Sequence, residues 1–493
     1  MSGLLVVSCG GREDGATSAT VPAAATPAPA PAAATAASPA APSKTPIAYA
    51  DAAPLLTELA SQLPAELAGV APAEREAQWP GWVSRHDANI RRRLDRGDED
   101  SLVNFWLYGT TFTSRPRATE RDIARLASRE RAEDLLIGRL DDLVAGMANA
   151  GANERLRFAR QVIERRGINP ATPAGQDQAR QFLVETRARI IAENERYRRM
   201  FASASLLKDD AAKLSAYAAV YRDRGLSSDT SIAADFALDQ ALAAMAAKGM
   251  LAAGSVRRVA IIGPGLDFTD KAEGYDFYPP QTIQPFALLD SLVRLGLGRA
   301  EDLRLTTFDL SPRVNQHLEG ARARAARGDA YVLQLPLDAD SPGRQWAPEL
   351  AAFWKAAGGH IGDEVEAIPA PAGASGVRVR AVRVRPGVVA ALASVDLNIV
   401  VERLKLSEAE RFDLVVATNV LVYYDAFEQA LALSNIAAML KPGGFFLTNY
   451  AITPRPPMSA SPWLVTKVFW DRQQNGDTML VYEKTSGVVL RKP

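Results

Sequence analysis

The chain has 493 residues, 47% hydrophobic and 23% charged, the balance of a globular protein long enough for two or three domains. Lys plus Arg and Asp plus Glu each number 57, so the formal charge is zero, which argues against a protein that holds nucleic acid by neutralising phosphates. A single cysteine and three scattered histidines (His86, His317, His360) exclude an intrachain disulfide and a Cys-based zinc or iron–sulfur site and make a His-based metal site unexpected, and no apolar run reaches the roughly 18 to 20 residues that span a bilayer.

At the N-terminus Leu4-Leu5-Val6-Val7-Ser8-Cys9 runs into Gly10-Gly11. An apolar stretch that closes on a small residue and then Cys resembles the lipobox of bacterial lipoproteins. That resemblance implies a diacylated Cys9 that anchors the protein to the cell envelope. The residues before Cys9 contain no Lys or Arg and are fewer than a signal peptide needs, so a cytoplasmic protein is the alternative. From Val21 to Pro42 the chain is almost entirely Ala and Pro; repeated Pro prevents a stable helix and nothing large is present to bury. Residues 1–50 therefore read as a lipobox-like start followed by a semi-extended tether.

Residues 51–250 have a helical pattern rich in Ala, Arg and Glu and read as an all-α region. Leu136, Leu140, Leu143, Val144 and Met147 recur at spacings of three and four, and Leu183, Ile190, Tyr197 and Phe201 mark the face of another long helix. Gly167-Ile168-Asn169-Pro170 breaks the chain between two helices. Arg91-Arg92-Arg93, with Asp95, Asp98, Glu99 and Asp100 close by, reads as a solvated helix face. The aromatic group Phe105, Trp106, Tyr108 and Phe112 reads as core.

Residues 251–493 change period and read as α/β. Val259-Ala260-Ile261-Ile262 is a short apolar run suited to a strand buried on both faces, and it ends in Gly263-Pro264-Gly265-Leu266-Asp267. A helix from Gln284 to Leu297 follows, then the strand Leu303–Phe308, ending in Asp309-Leu310. Val377 to Arg385 alternates like a half-exposed strand, with a slip of phase at Ala381 that predicts a bulge or bend and with its arginines facing solvent. Phe412 to Thr418 is a further strand, followed by Asn419, a helix from Phe427 to Leu440, the stop Lys441-Pro442-Gly443-Gly444 and the strand Phe445–Thr448. Val465 to Trp470 and Thr478 to Tyr482 flank Asn475-Gly476, a hairpin turn signal.

This order of elements, with FDLVVATNVLVYYD and then LKPGG, resembles the class I S-adenosylmethionine-dependent methyltransferases, and most of all their chemotaxis-receptor glutamate methyltransferase branch. The resemblance covers about the C-terminal half of the chain. It implies a Rossmann-like seven-stranded sheet with a terminal antiparallel hairpin, following the all-α region. It also implies S-adenosylmethionine as cofactor, with Gly263, Pro264 and Gly265 under its methionine portion, Asp309 and Leu310 at the ribose, Asp396 at the adenine amino group and Asn419 beside the sulfonium. Tyr423, Tyr424, Tyr275 and Tyr278 would wall the acceptor. The departures from the family are Ile261, where an acid is usual, Asp267, where a small residue is usual, and an interval of 46 positions from Gly263 to Asp309, about twice the usual one, with an insertion at Tyr275–Pro280.

Each assignment has a structural alternative. The glycines serve a tight turn, Asp309 and Asp396 serve as helix caps, and Asn419 is a strand-end hydrogen bonder. Methyl transfer is an in-line displacement that needs positioning and no covalent nucleophile, so no catalytic residue is singled out. The expected activity is O-methyl transfer to a carboxylate or hydroxyl on a small molecule or protein. Asn419 is followed by Val-Leu and not by a double proline, so nucleic-acid bases are not expected as acceptors. Two alternatives stand beside it: a nicotinamide dehydrogenase, weakened by Phe268 where a third glycine belongs, and an envelope-anchored scaffold with a degenerate methyltransferase fold.

Overall fold

The structure is a computed structural model that describes residues 43–119, 123, 126, 128–206, 224–229, 232–268, 276–337, 346–371, 374, 377–471 and 475–485. Cys9, the Val21–Pro42 tether, Tyr275 and the side chain of Phe201 lie outside the described residues.

The strands, in chain order, are β1 (Lys44–Pro46), β2 (Arg258–Ile262), β3 (Arg304–Asp309), β4 (Tyr331–Pro336), β5 (Gly362–Val365), β6 (Val379–Val384), β7 (Leu392–Asp396), β8 (Glu402–Leu404), β9 (Phe412–Ala417), β10 (Leu440–Thr448), β11 (Leu464–Phe469) and β12 (Gly476–Glu483). Seven of them form one sheet in the order β7-β3-β2-β9-β10-β12-β11. The first five are mutually parallel, while β12 runs antiparallel between β10 and β11. This is the mostly parallel seven-stranded sheet and closing hairpin that the sequence leads one to expect. The central strands form because their continuous apolar runs have both faces covered: Val259, Ala260, Ile261, Leu414, Val415 and Val416 are all fully buried.

Helices cover both faces. On one lie Ala233–Ala247, Gln284–Arg294 and Pro312–Ala325. On the other lie Tyr49–Glu58, Ala426–Met439 and the first half of the long helix Pro72–Tyr108, through Trp79, Trp82, Ile90 and Leu94. The second half of that helix enters a separate core with Arg129–Ala148, Glu154–Arg165 and Pro173–Ser205. Leu140, Leu143, Val144, Met147, Leu183, Phe105 and Trp106 are buried there, as their spacing predicts. The all-α region thus serves two ends: part of it is a bundle, and part completes the sheet's two helical layers. The described residues lie in one compact unit. Among the described residues, no helix is long and apolar enough to cross a membrane.

Two expectations are corrected. The Val377–Arg385 alternation does give a strand, β6, but its pairing with β4 runs in unbroken register from Tyr331↔Val384 to Pro336↔Val379, with no bulge at Ala381. With β5 it forms a small antiparallel sheet of its own, in the order β4-β6-β5. Arg380 is buried and not solvent-facing, because its Nη1 donates to Ala357 O at 2.6 Å, a carbonyl just past the end of helix Pro348–Ala356. The arginine run differs too. Arg92 is exposed as expected, but Arg91 pairs with Asp396 (2.8 Å) and Asp87 (2.9 Å), and Arg93 donates to Tyr423 O (2.8 Å).

Candidate functional site

A cavity of about 560 Å³ lies at the carboxyl tips of the parallel strands. Its lining takes Ile262, Gly263, Pro264 and Gly265 after β2, Phe308, Asp309 and Leu310 at β3, Leu397 and Ile399 after β7, Thr418, Asn419 and Val420 after β9, and Asn449 and Tyr450 after β10. In an open parallel sheet the crevice forms where the order of the strands reverses. Here that point lies between β2 and β9, between the glycine turn and Asn419.

Gly263 and Gly265 both have left-handed backbone (φ +66° and +67°), which glycine adopts without strain. A Cβ on Gly263 would also stand 2.7 Å from Val420 Cγ2. Gly263→Ala is therefore expected to destabilise the fold by about 1–3 kcal/mol and to distort the cavity wall, read by urea unfolding. A variant as stable as the wild type would mean that the turn relaxes freely. Asn419 is the one non-glycine residue with positive φ (57°) among the described residues. It is held by a reciprocal pair: its N–H donates to Asn449 Oδ1 (2.8 Å), and Asn449 Nδ2 donates to Asn419 Oδ1 (2.9 Å).

Asp309 ends β3 and is buried while still lining the cavity. Its Oδ1 accepts the Ser311 N–H at 2.8 Å, and the Gly265 N–H also bonds it. Burial is the main cause that pushes its carboxyl from 3.8 up to about 6; these two amides and the charge of Arg313 act against it. Ser311, not Asp309, is the N-cap of helix Pro312–Ala325, so Asp309 fixes the turn into that helix while facing the cavity. Asp396 lies beside Asp309 in the β3–β7 register but is not among the lining residues, and its carboxylate goes to Arg91 at 2.8 Å. Leu397 and Ile399 line that end instead. Tyr423 and Tyr424 line the cavity; Tyr278 does not, and its Oη donates to Asp267 Oδ2 at 2.9 Å.

Most of the rest of the wall comes from regions that carry no sequence signal for a site. Leu94, Leu226 to Asp229, Ile232 and Ala233 come from the all-α region, Asp267 and Phe268 from the insertion after β2, Leu350 and Trp354 from helix Pro348–Ala356, and Trp470 from the end of β11. Two arginines, Arg155 buried and Arg313 half-buried, set these pieces. Arg155 donates to the carbonyls of Phe268, Tyr278 and Asp267 (the last at 3.0 Å). Arg313 lies over the rings of Phe158 (4.1 Å) and Phe268 (4.9 Å) and donates to Ser228 Oγ at 2.6 Å. Phe268 in turn packs on Phe105, which ties the aromatic core to the cavity wall.

Gln284 starts its helix beside the cavity and donates from Nε2 to Thr418 Oγ1 at 2.9 Å. Asp235, close to Gln284, is fully enclosed, and burial raises its carboxyl from 3.8 to about 8 against a weaker opposing effect of Gln284. A raised folded-state value means that stability is present at low pH and lost as pH rises through about 8. Asp235→Asn removes this titration. Relative to wild type the variant is expected to gain about 1 kcal/mol between about pH 7 and about pH 9 in urea unfolding. A difference that stays constant over that window would contradict the assignment. Among the described residues no group of three or more His, Cys, Asp and Glu is placed to hold a metal ion.

No protein-family model matches the chain, and no curated protein matches it. Solved structures similar to part of it include the N-methyltransferase NodS from Bradyrhizobium japonicum WM9, at 14% identity over 51% of this chain and 98% of that one, with a TM-score of 0.25. Magnesium protoporphyrin IX methyltransferase (ChlM) from Synechocystis PCC 6803 with bound SAM is similar at 11% identity, over 52% of this chain and 81% of that one, with a TM-score of 0.25. An O-methyltransferase family protein from Burkholderia thailandensis is similar at 14% identity, over 57% and 62%, with a TM-score of 0.22. These likenesses are slight, and the functional conclusion rests on the residues of the site.

Proposed function

We propose that the chain is an S-adenosylmethionine-dependent methyltransferase acting on a small molecule or on a protein side chain that reaches into the cavity. The observation that carries this conclusion is Asp309, a buried carboxylate at a strand tip that lines the cavity and takes part in no ion pair among the described residues. Such an acceptor suits the two hydroxyls of a ribose. The neighbouring residues fit the remainder of the cofactor. Leu310, Leu397 and Ile399 offer an apolar slot for the adenine, Gly263, Pro264 and Gly265 bring main chain close to the methionine portion, and Asn419 stands at the switch point, where the sulfonium belongs. A cavity of this size is typical of small-molecule sites.

Bound there, the cofactor supplies an activated methyl group for in-line displacement. The chain's own residues orient and enclose: Asn449 fixes Asn419, Gln284 fixes Thr418, and Phe268, Trp354, Trp470 and the tyrosines exclude water. Of the carboxylate and hydroxyl acceptors expected from the sequence, an uncharged group is favoured. Asp229, Asp267 and Asp309 line the cavity, and no Lys, Arg or His is among its described lining residues.

Hydrogen exchange with and without S-adenosylhomocysteine tests the placement. Slowed exchange is expected around Gly263–Gly265, Asp309 and Asn419, and no change at these strand tips would contradict it. A lipid anchor at Cys9 would hold the activity at the cell envelope. Incorporation of a palmitate analogue that is lost in Cys9→Ala would support it, and none in the wild type would refute it.

A further inference from the structure

The long helix Pro173–Ser205 has two apolar faces and uses one of them in the bundle. Ala179, Leu183 and Tyr197 are buried against its neighbours. On the opposite face Val184 and Ile191, two turns apart, are 49% and 43% exposed. On helix Arg129–Ala148, Ile137 is 59% exposed, and it lies one turn from the Asp141–Arg180 ion pair (2.7 Å), as Val184 does from the other side. Aliphatic side chains grouped on a face that the core leaves bare mark a surface for association. The charges flanking this face change sign along it. Glu185, before Ile191, is exposed and accepts only from Gln181 Nε2 among the described residues, at 2.9 Å. Arg198 and Arg199, after it, are exposed and form no ion pair among the described residues.

We propose that this face docks on the same face of a second copy of the chain, the two helices antiparallel about a twofold axis at Ile191; the inference is independent of the methyltransferase reading. A twofold makes the patch self-complementary, so each contact away from the axis occurs twice. With a rise of about 1.5 Å per residue, Val184 and Arg198, seven residues to either side of Ile191, come level across the axis. Ile191 then packs on its own counterpart, and Val184 lies under the aliphatic stem of Arg198 of the second copy. Ala188 comes level with Glu195, its small side chain leaving room for the longer one. Glu185, about 9 Å before the axis, meets Arg199 of the second copy, about 12 Å beyond it, on the same flank of the helix pair. A parallel pairing would set Glu185 against Glu185 and Arg198 against Arg198, so charge complementarity selects the antiparallel one.

Sedimentation equilibrium of the full chain, up to about 100 μM to reach a weak interface, tests this. The wild type is expected to approach twice the chain mass. Ile191→Glu should sediment as a monomer with unchanged helical circular dichroism, because the position is exposed in the single chain. Glu185→Arg turns two attractions into two repulsions and should weaken the dimer about tenfold, the order of effect of two exposed ion pairs. Glu185→Arg combined with Arg199→Glu restores opposite charges across the axis and should recover the dimer. A monomeric wild type overturns the inference and leaves the face to another occupant. A dimer indifferent to Ile191→Glu, or a charge swap no better than Glu185→Arg alone, also overturns it, since the copies would then meet through another surface or in another register.

Discussion

Asp309→Ala is expected to weaken S-adenosylhomocysteine binding about a hundredfold, the largest loss foreseen for any residue at the strand tips. Two hydroxyls donating to one buried carboxylate are worth about 1.5 kcal/mol each, the lower end for bonds to a charged group, and about 1.4 kcal/mol is a factor of ten. Asp309→Asn, which keeps one acceptor oxygen for the Ser311 amide, should lose about tenfold. The wild type should also show a pH dependence that the Asn variant lacks. Burial holds the carboxyl near about 6, and only the ionised form accepts from both hydroxyls, so affinity should fall as pH drops below that value. The same raised value works against the unliganded fold: its stabilising share is present at low pH and is lost as pH rises through about 6. Calorimetry across this range checks both effects. An Ala variant with unchanged affinity would place the ribose elsewhere.

Arg155→Met is expected to cost about 3–5 kcal/mol of stability. Arg155 is 2% exposed and meets three backbone carbonyls of the insertion after β2, those of Asp267, Phe268 and Tyr278. Methionine replaces the stem but leaves those carbonyls buried without a donor, at about 1–3 kcal/mol apiece in part relieved by relaxation. The loosening should spread to the cavity, because Asp267 and Phe268 line it. It should spare the neighbouring clamp, in which Asp276 accepts from the main-chain N–H groups of Thr110 and Thr111 at 2.8 and 3.1 Å. Arg155→Lys, which keeps a cation but not the fork, should fall between. Urea unfolding gives the stability, and hydrogen exchange around 278–281 locates the damage. A Met variant within about 1 kcal/mol of wild type would mean that the insertion is held by its apolar contacts alone.

What the sequence reveals is local. The strands that carry Gly263, Asp309 and Asn419 are short apolar runs with polar or glycine ends, so both the sheet and its tips are legible. The closing hairpin is legible from Asn475-Gly476. What it hides depends on partners far along the chain. Asp396 looks like a strand-tip ligand until Arg91, 305 residues earlier, takes its carboxylate. Arg380 fits a solvent-facing alternation, yet it turns inward because a helix end 23 residues back presents carbonyls that need a donor. Ala233–Ala247 has the composition of a bundle helix, and only the bare face of the sheet explains why it packs there. Gln284 has a weak signal, a polar side chain opening a helix whose first turns are apolar, and its pairing with Thr418 exists only once β2 and β9 are neighbours.

The cavity at the strand tips is the proposed seat of S-adenosylmethionine. Calorimetric titration of the full chain with S-adenosylmethionine measures this directly. One molecule should bind per chain, displaced by S-adenosylhomocysteine and weakened about a hundredfold by Asp309→Ala. The absence of binding heat at millimolar cofactor would mean that the cavity does not hold it.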